Sequence, residues 1–246
     1  MVLPRLHAYD LTAMLKRITN NIPNALTCLN LISGCVAVYM AFHLGDRIGT
    51  LTGASWAMIA IASAALFDFL DGAAARMLGV VSSIGKDLDS LSDLVSFGVA
   101  PSMLMLNTMV ASGSSVLCAF ACLLIPVAGA LRLARFNNDQ TQTTSFRGLP
   151  IPANAIFWIG FYAWIERYTY PGTVVMLVLV VVLSYAMTMK FKMFSLKFKN
   201  FDIHENFCRY AIIVATVFFL VLYGLSGLVW TILLYFMLSF LRQNRI

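Results

Sequence analysis

Charged residues are scarce in this sequence. Asp, Glu, Lys and Arg make up only 11% of its 246 residues, whereas apolar residues make up 60%. A soluble domain of this size carries charge on about 25% of its residues, and a disordered chain is more polar still. The composition therefore excludes the soluble globular and the disordered classes, and it indicates a protein that is dissolved in a lipid bilayer.

Linker-like segments are also lacking, since no stretch is rich in serine, charge or repeats. Apolar runs of roughly 20 residues, the length that crosses a bilayer, instead recur along the chain. We therefore predict an all-α integral membrane protein with a single domain over residues 1–246. Eight transmembrane helices are predicted at about 25–43, 54–75, 95–112, 115–135, 152–166, 171–189, 208–223 and 227–241. Residues 1–20 mix apolar and polar side chains, which predicts a short N-terminal helix at the membrane interface.

Basic residues are distributed unevenly around these eight spans. Arg47 and Arg167 fall on one side of the membrane, and the other 15 of the 17 Lys and Arg residues fall on the opposite side. Because cytoplasmic loops are enriched in Lys and Arg, we predict that both termini are cytoplasmic, in a bacterial inner membrane. The net charge of +6 reflects this asymmetry and attraction to anionic membrane lipids, so no nucleic-acid partner is expected.

The five cysteines and three histidines form no catalytic or metal-binding pattern. Every cysteine lies in or beside an apolar run, where a free cysteine acts as a small buried hydrophobic residue. None is spaced with histidine as a ligand set, and no Ser, Cys or His is evidently activated as a nucleophile. The cysteines and histidines are therefore not candidates for a nucleophile or a metal ligand.

The few acidic residues are concentrated in one place, with five of the eleven between positions 68 and 93. Asp68 and Asp71 are three residues apart at the end of an apolar run, so they share one helix face. Asp89 and Asp93 are four residues apart at the start of the next apolar run, so they also share one helix face. A short connection that contains Gly79 and Gly85 lets the two aspartate pairs face each other. Asp87 lies off both faces.

Four carboxylates that converge in a low-dielectric medium repel one another and require a counter-charge. Divalent cations bound through oxygen are the natural choice, so the sequence predicts a metal site at the four aspartates. The alternative of solvated acids in an ordinary loop is disfavoured because Asp68 and Asp71 adjoin the apolar run 59–70. The small side chains from Gly72 to Ala75 allow either another helix or a large ligand to approach the backbone closely. Arg76 follows them and is a candidate anion-binding residue.

This region resembles the complete signature of the CDP-alcohol phosphotransferases, with all eight fixed positions at the family spacing. The matching run is Asp68-x2-Asp71-Gly72-x2-Ala75-Arg76-x8-Gly85-x3-Asp89-x3-Asp93. The resemblance implies a membrane enzyme with six core helices, here with two more, that is commonly a homodimer. It also implies transfer of a substituted phosphoryl group from a CDP-linked donor to an alcohol, with release of CMP.

The resemblance further implies roles for individual residues. Asp68, Asp71 and Asp89 would ligate two divalent ions, Mg²⁺ or Mn²⁺. Asp93 would contribute to the second ion and act as the general base. The CDP pocket would be shaped by residues of the signature, namely Asp68, Gly72, Ala75, Arg76 and Gly85.

Further motifs resemble the membrane-embedded phosphatidylserine synthases of that family, which implies CDP-diacylglycerol as donor and L-serine as acceptor. These motifs lie at 22–34, 96–101, 132–137 and 146–153, so the resemblance covers roughly residues 20–155. In the first of them, Thr27 and Asn30 are three residues apart and are predicted to face the nucleotide.

Arg132 and Arg135 are also three residues apart, so both guanidinium groups can fork onto the same anion. The target is either the lipid phosphate or the serine carboxylate, and the spacing does not decide between them. The alternative is that both arginines bind no ligand and only belong to the Lys- and Arg-rich cytoplasmic end of the fourth predicted span. Asn137 and Arg147 are predicted to line the acceptor pocket, whereas the lysines between 190 and 199 are predicted to form a lipid-facing basic surface.

Two alternative functions are open. The first keeps the family but changes the acceptor to glycerol phosphate, an inositol phosphate, or an aminoalcohol with a diacylglycerol-linked exchange. A phosphorylated acceptor would demand more basic residues around the site, which Arg132, Arg135 and Arg147 could partly supply. The second is a cation transporter with a buried acidic site. A transporter is expected to show repeated halves with broken helices, but the acidic cluster occurs once.

Overall fold

The computed structural model describes residues 3–80, 83–138, 145–194 and 202–243, and helices dominate these ranges. The α-helices are α1 (Leu3–Ala41), α2 (Gly53–Leu78), α3 (Ser83–Asp93), α4 (Ala100–Ala111), α5 (Val116–Ala119), α6 (Leu124–Asn138), α7 (Ile151–Arg167), α8 (Thr173–Thr188), α9 (Ile203–Tyr223) and α10 (Gly227–Gln243). Two small antiparallel sheets pair β1 (Arg47–Ile48) with β2 (Leu51–Thr52) and β3 (Ser145–Arg147) with β4 (Lys192–Phe194).

The predicted all-α membrane fold is confirmed, and each of the eight predicted spans coincides with helix. Within the described ranges, five segments are long and apolar enough to cross a bilayer: Asn21–Ala41, Gly53–Leu78, Ile84–Ala111, Val116–Asn138 and Asn206–Leu241. The last of these contains both α9 and α10. The two remaining helices, α7 and α8, have only 17 and 16 residues, so the count of eight crossings stays a prediction.

The N-terminal segment differs from the prediction of a separate short helix. Residues from Leu3 onward form the first turns of α1, which runs without a break to Ala41. Even Pro23 is accommodated inside this helix. The first 20 residues are therefore helical, as predicted, but they are continuous with the helix that follows, and their position at the interface stays a prediction.

Apolar side chains both fill the bundle and cover it. Trp158, Phe97 and Met105 are among the largest fully buried side chains, and they come from the central part of the bundle. Many others point outward, such as Leu117 at 82% and Val221 at 79% exposed. Apolar surface of this extent is not tolerated in water, so the outer face is the one that contacts lipid.

Hydrogen bonds tie the helices together at both ends of the bundle. At one end, Ser114 Oγ lies 2.8 Å from both Tyr170 Oη and Thr173 Oγ1. At the other end, Lys86 Nζ donates to the carbonyl of Asn137 at 2.9 Å. The acidic cluster and the arginines near 132 therefore share one end of the bundle.

A π-helical turn from Leu94 to Val99 joins α3 to α4 directly after Asp93. Such turns are often found at functional sites. This one packs closely against α1, since a Cβ added to Gly34 would lie only 2.8 Å from Ser96 Cα. The glycine therefore sets how near α1 approaches the turn.

We expect Gly34→Ala to destabilise the protein by about 1–3 kcal/mol, because the added methyl overpacks a backbone contact. The measurement is the melting temperature in detergent. Gly45→Ala is the matched control, since a Cβ at Gly45 meets no atom within 4 Å. Equal melting temperatures for the two variants would contradict the close approach of α1 to the π turn.

Candidate active site

Three of the four predicted aspartates meet at one point. Asp68 and Asp71 come from the last turns of α2, Asp89 comes from α3, and one carboxylate oxygen from each lies within 4.8 Å of the others. Asp71 is buried and the other two are half-buried. Like charges this close cannot all stay ionised without a cation between them, and an all-oxygen ligand set suits a hard divalent ion. The residues present therefore fit a divalent metal.

The fourth aspartate, Asp93, lies one helical turn deeper than Asp89 and is 8% exposed. Its Oδ1 accepts a hydrogen bond from Asn30 Nδ2 at 3.3 Å. It remains within electrostatic range of Asp68, Asp71 and Asp89. Asp93 thus borders the cluster and is available for a role distinct from that of the three converging carboxylates.

Thr27 and Asn30, which were predicted to face the nucleotide, contact carboxylates in the structure. Thr27 Oγ1 lies 2.6 Å from Asp71 Oδ2 and 3.0 Å from the carbonyl of Pro23. A hydroxyl has one proton, and the shorter distance assigns it to Asp71. Sequence spacing indicated that the two residues share a helix face, but it carried no signal for their partners.

The residues after Asp71 leave open space beside the carboxylates. A Cβ added to Gly72 would meet only one atom within 4 Å, Arg76 Nη1 at 3.3 Å. Ala75 is half-buried and Arg76 is exposed one turn further along α2, while Gly85 is half-buried in the first turn of α3. Such a face can admit a large polar ligand next to the metal-binding oxygens.

A basic pocket of about 420 Å³ opens at the same end of the bundle. Its lining residues are Arg132, Arg135, Phe136, Asn138, Arg147, Met187, Thr188, Met189 and Lys190. Arg132 is 9% exposed and lies within electrostatic range of Asp93. Its Nε has no hydrogen-bond partner in the described part of the chain. Arg132 therefore connects the pocket to the acidic cluster.

Two polar residues near this pocket have surroundings that the sequence did not predict. Asn137 was predicted to line the acceptor pocket, and this stays a prediction; its Nδ2 donates to Ser90 Oγ at 2.8 Å, and the neighbouring Asn138 lines the basic pocket. One residue rotates the side chain by about 100° around a helix, which turns Asn137 toward α3. Lys190 is exposed and lines the pocket, and its predicted place on a lipid-facing basic surface stays a prediction. Lys197 and Lys199 lie outside the described residues.

The segment around Gly148 explains how Arg147 and Lys190 meet. The N–H of Gly148 donates to the carbonyl of Phe191 at 2.8 Å, beside the β3–β4 pair. Gly148 has φ of +74°, and an added Cβ would lie 2.9 Å from the carbonyl carbon of Met187. Only glycine fits this backbone, which folds Arg147 back against the end of α8.

Comparisons with known proteins give the family and several relatives. A family model described as CDP-alcohol phosphatidyltransferase matches residues 20–194. Three similar proteins are named CDP-diacylglycerol–serine O-phosphatidyltransferase. The Mycobacterium leprae protein is 38% identical over 149 residues, 58% of this chain and 46% of that protein. The Methanocaldococcus jannaschii protein is 38% identical over 147 residues, 60% of this chain and 63% of that protein.

The third relative, from Bacillus subtilis, is 36% identical over 189 residues, which are 75% of this chain and 93% of that protein. The chain therefore matches almost the whole of this relative. It spans less than two thirds of the length of the other two. The matched region includes the acidic cluster and the basic pocket.

Proposed function

The chain belongs to the CDP-alcohol phosphatidyltransferase family, and from this premise we propose that it is a phosphatidylserine synthase. It transfers the phosphatidyl group of CDP-diacylglycerol to the hydroxyl of L-serine and releases CMP. The observation that carries the proposal is the convergence of Asp68, Asp71 and Asp89 within 4.8 Å, beside the buried Asp93. The names of the three relatives support serine as the acceptor.

Transfer of a phosphoryl group requires neutralisation of the pyrophosphate charge and alignment of the attacking hydroxyl with the leaving group. Asp68, Asp71 and Asp89 would hold the divalent ions, which we propose to be two Mg²⁺ or Mn²⁺. When bound, these ions would supply Lewis-acid stabilisation of phosphate charge. The open face of Gly72, Ala75 and Gly85, with Arg76 beyond it, accommodates the CDP group.

Asp93 acts as the general base in this proposal. Its carboxylate accepts the proton of the serine hydroxyl as the serine oxygen bonds to the phosphorus of the phosphatidyl group. The bond from that phosphorus to the bridging oxygen breaks, and CMP leaves with this oxygen. No covalent enzyme intermediate is required.

The basic pocket binds the acceptor or the lipid phosphate through Arg132, Arg135 and Arg147. Serine enters from water at this end of the bundle, while the acyl chains of the donor stay in the bilayer. The concentration of basic residues at this end supports a cytoplasmic site in a bacterial inner membrane. A homodimer is proposed from the family resemblance alone.

The composition of the pocket also favours a second candidate function. Four cationic side chains and no carboxylate are among its described lining residues, whereas serine is a zwitterion without net charge. A dianionic acceptor, glycerol 3-phosphate or an inositol phosphate, would match this charge better. The second candidate is therefore a synthase of the same family with a phosphorylated acceptor.

The experiment that separates these candidates measures CMP release by the purified protein with CDP-diacylglycerol and each acceptor in turn. We expect L-serine to support release, and glycerol 3-phosphate or an inositol phosphate to give no more than the rate without acceptor. Release with glycerol 3-phosphate and not with serine would overturn the choice of acceptor.

We expect Arg147→Gln to raise the KM of one substrate by about 10- to 100-fold, because a charged hydrogen bond contributes about 1.5–3 kcal/mol. A rise for serine assigns the arginine to the acceptor, and a rise for CDP-diacylglycerol assigns it to the lipid phosphate. Arg167→Gln is the control, since Arg167 bonds the carbonyl of Tyr223 at the other end of the bundle. Unchanged KM values for both substrates would exclude Arg147 from substrate binding.

A further inference from the structure

We propose that Asn30 is a positioning residue for Asp93, and that α1 supports the catalytic carboxylates instead of binding the nucleotide. The inference rests on the proposed function, in which Asp93 receives the proton of the acceptor hydroxyl. It gives α1 a role in positioning the carboxylates of the acidic cluster, although α1 contributes no carboxylate to that cluster.

The contact between the two side chains has a defined direction. Asn30 Nδ2 lies 3.3 Å from Asp93 Oδ1. With Asp93 ionised, as a general base requires, the opposite orientation of the amide would bring its oxygen against a carboxylate oxygen, so the amide nitrogen is assigned to face Asp93. Because an amide nitrogen can only donate, it holds one carboxylate oxygen as an acceptor. The second oxygen of Asp93 is then the one that receives the proton in the proposed reaction.

Asn30 is itself held in place through its backbone. Ser96 Oγ donates to the carbonyl of Asn30 at 3.0 Å, and Ser92 Oγ donates to the carbonyl of Thr27 at 3.2 Å. Both serines are fully buried, and they flank Asp93 in the chain. The segment that carries Asp93 therefore bonds the backbone of α1 on either side of the Asn30 contact, which fixes the position of the amide.

Burial argues against a direct role of α1 in nucleotide binding. Asn30 is 0% exposed, so a ligand cannot reach its side chain without movement of the helices. Thr27 is 4% exposed, close to the 6% of Asp71, so its case rests on its hydrogen bond to Asp71 and not on burial. The Thr27 hydroxyl donates to Asp71 and the Asn30 amide nitrogen donates to Asp93, while Asn30 Oδ1 is buried and has no hydrogen-bond partner in the described part of the chain. One face of α1 thus holds a carboxylate at each of two successive turns.

The choice of an uncharged donor suits the site. Asp93 lies within electrostatic range of three other carboxylates, and repulsion among them favours side-chain orientations that separate the charges. A hydrogen bond from an amide fixes the orientation of Asp93 without introducing a cation that would compete with the metal. Positioning of this kind affects the chemical step and not the affinity for substrate.

The test compares Asn30→Leu with Asn107→Leu. The control makes the same change at an asparagine whose Nδ2 donates only to a backbone carbonyl, that of Met103, in α4. We expect Asn30→Leu to lower kcat by about 10- to 100-fold, or about 1.4–2.8 kcal/mol. The KM for CDP-diacylglycerol and the Kd of CMP should stay within about threefold of wild type. Asn30→Ala, which only removes atoms, should give the same result and covers the case in which leucine is not accommodated.

Two results would overturn the inference. One is an unchanged kcat in both Asn30 variants. The other is a loss confined to CDP-diacylglycerol KM and CMP affinity, which would make Asn30 a nucleotide contact. Wild-type protein that releases no CMP with any acceptor would instead refute the proposed function. If an acceptor other than serine is active, the comparison is made with that acceptor.

Discussion

Asp93→Asn is expected to lower kcat by about 10²- to 10⁴-fold, the contribution of a general base, while CMP binding is retained. The asparagine has nearly the same shape but cannot accept the proton of the attacking hydroxyl. The buried position of Asp93 beside the three converging carboxylates is the basis for this expectation. The measurement is the rate of CMP release at saturating substrates, together with the Kd of CMP.

The matched control is Asp87→Asn, the same change at an exposed aspartate of the same helix. Asp87 belongs to neither carboxylate pair, so its variant should retain wild-type turnover. Near-normal activity of Asp93→Asn would refute the general-base assignment. Equal losses in the two variants would indicate a general effect of charge on α3.

Removal of divalent ions with EDTA is expected to reduce turnover by at least about 100-fold, because the Lewis acid supplies several kcal/mol of charge stabilisation. Addition of Mg²⁺ or Mn²⁺ should restore it. Asp68, Asp71 and Asp89 lie too close together to stay ionised without a cation. Asp68→Asn should therefore require a higher Mg²⁺ concentration for half-maximal activity than Asp87→Asn. Turnover that persists in EDTA would contradict metal binding at these carboxylates.

The acidic cluster was predictable because its geometry is local. Spacings of three and four residues place side chains on one face of any α-helix, so Asp68 with Asp71 needed no knowledge of tertiary structure. The apolar run before Asp68 likewise identified a membrane helix whose acids lie at its end. The meeting with Asp89 was expected from the short connection between two consecutive helices, whereas in the structure α2 and α3 each pack against α1.

The partners of α1 were not predictable from the sequence. Spacing shows that Thr27 and Asn30 share a face, but the rotation of α1 about its axis decides what that face contacts. That rotation is fixed by the approach of Gly34 to Ser96, which depends on the π turn after Asp93. No sequence pattern marks this turn, since its residues read as an ordinary apolar helix.

The basic pocket was predictable only in part, because its walls come from separate segments. The spacing of Arg132 and Arg135 identified one wall on α6. Lys190 joins them through the β3–β4 pair and the turn at Gly148, a contact between distant segments that a linear pattern does not encode. Asn138 lines this pocket, whereas Asn137 contacts Ser90. Which of two neighbouring residues faces the pocket depends on the rotation of α6 about its axis, and the sequence does not encode that rotation.

The most direct test of the central claim follows radiolabelled L-serine into lipid. Purified protein is incubated with CDP-diacylglycerol and Mg²⁺, and both CMP and labelled phosphatidylserine are measured. The proposed reaction predicts equal molar amounts of the two products, and neither product without CDP-diacylglycerol. Release of CMP without incorporation of serine, or incorporation of serine without CDP-diacylglycerol, would contradict it.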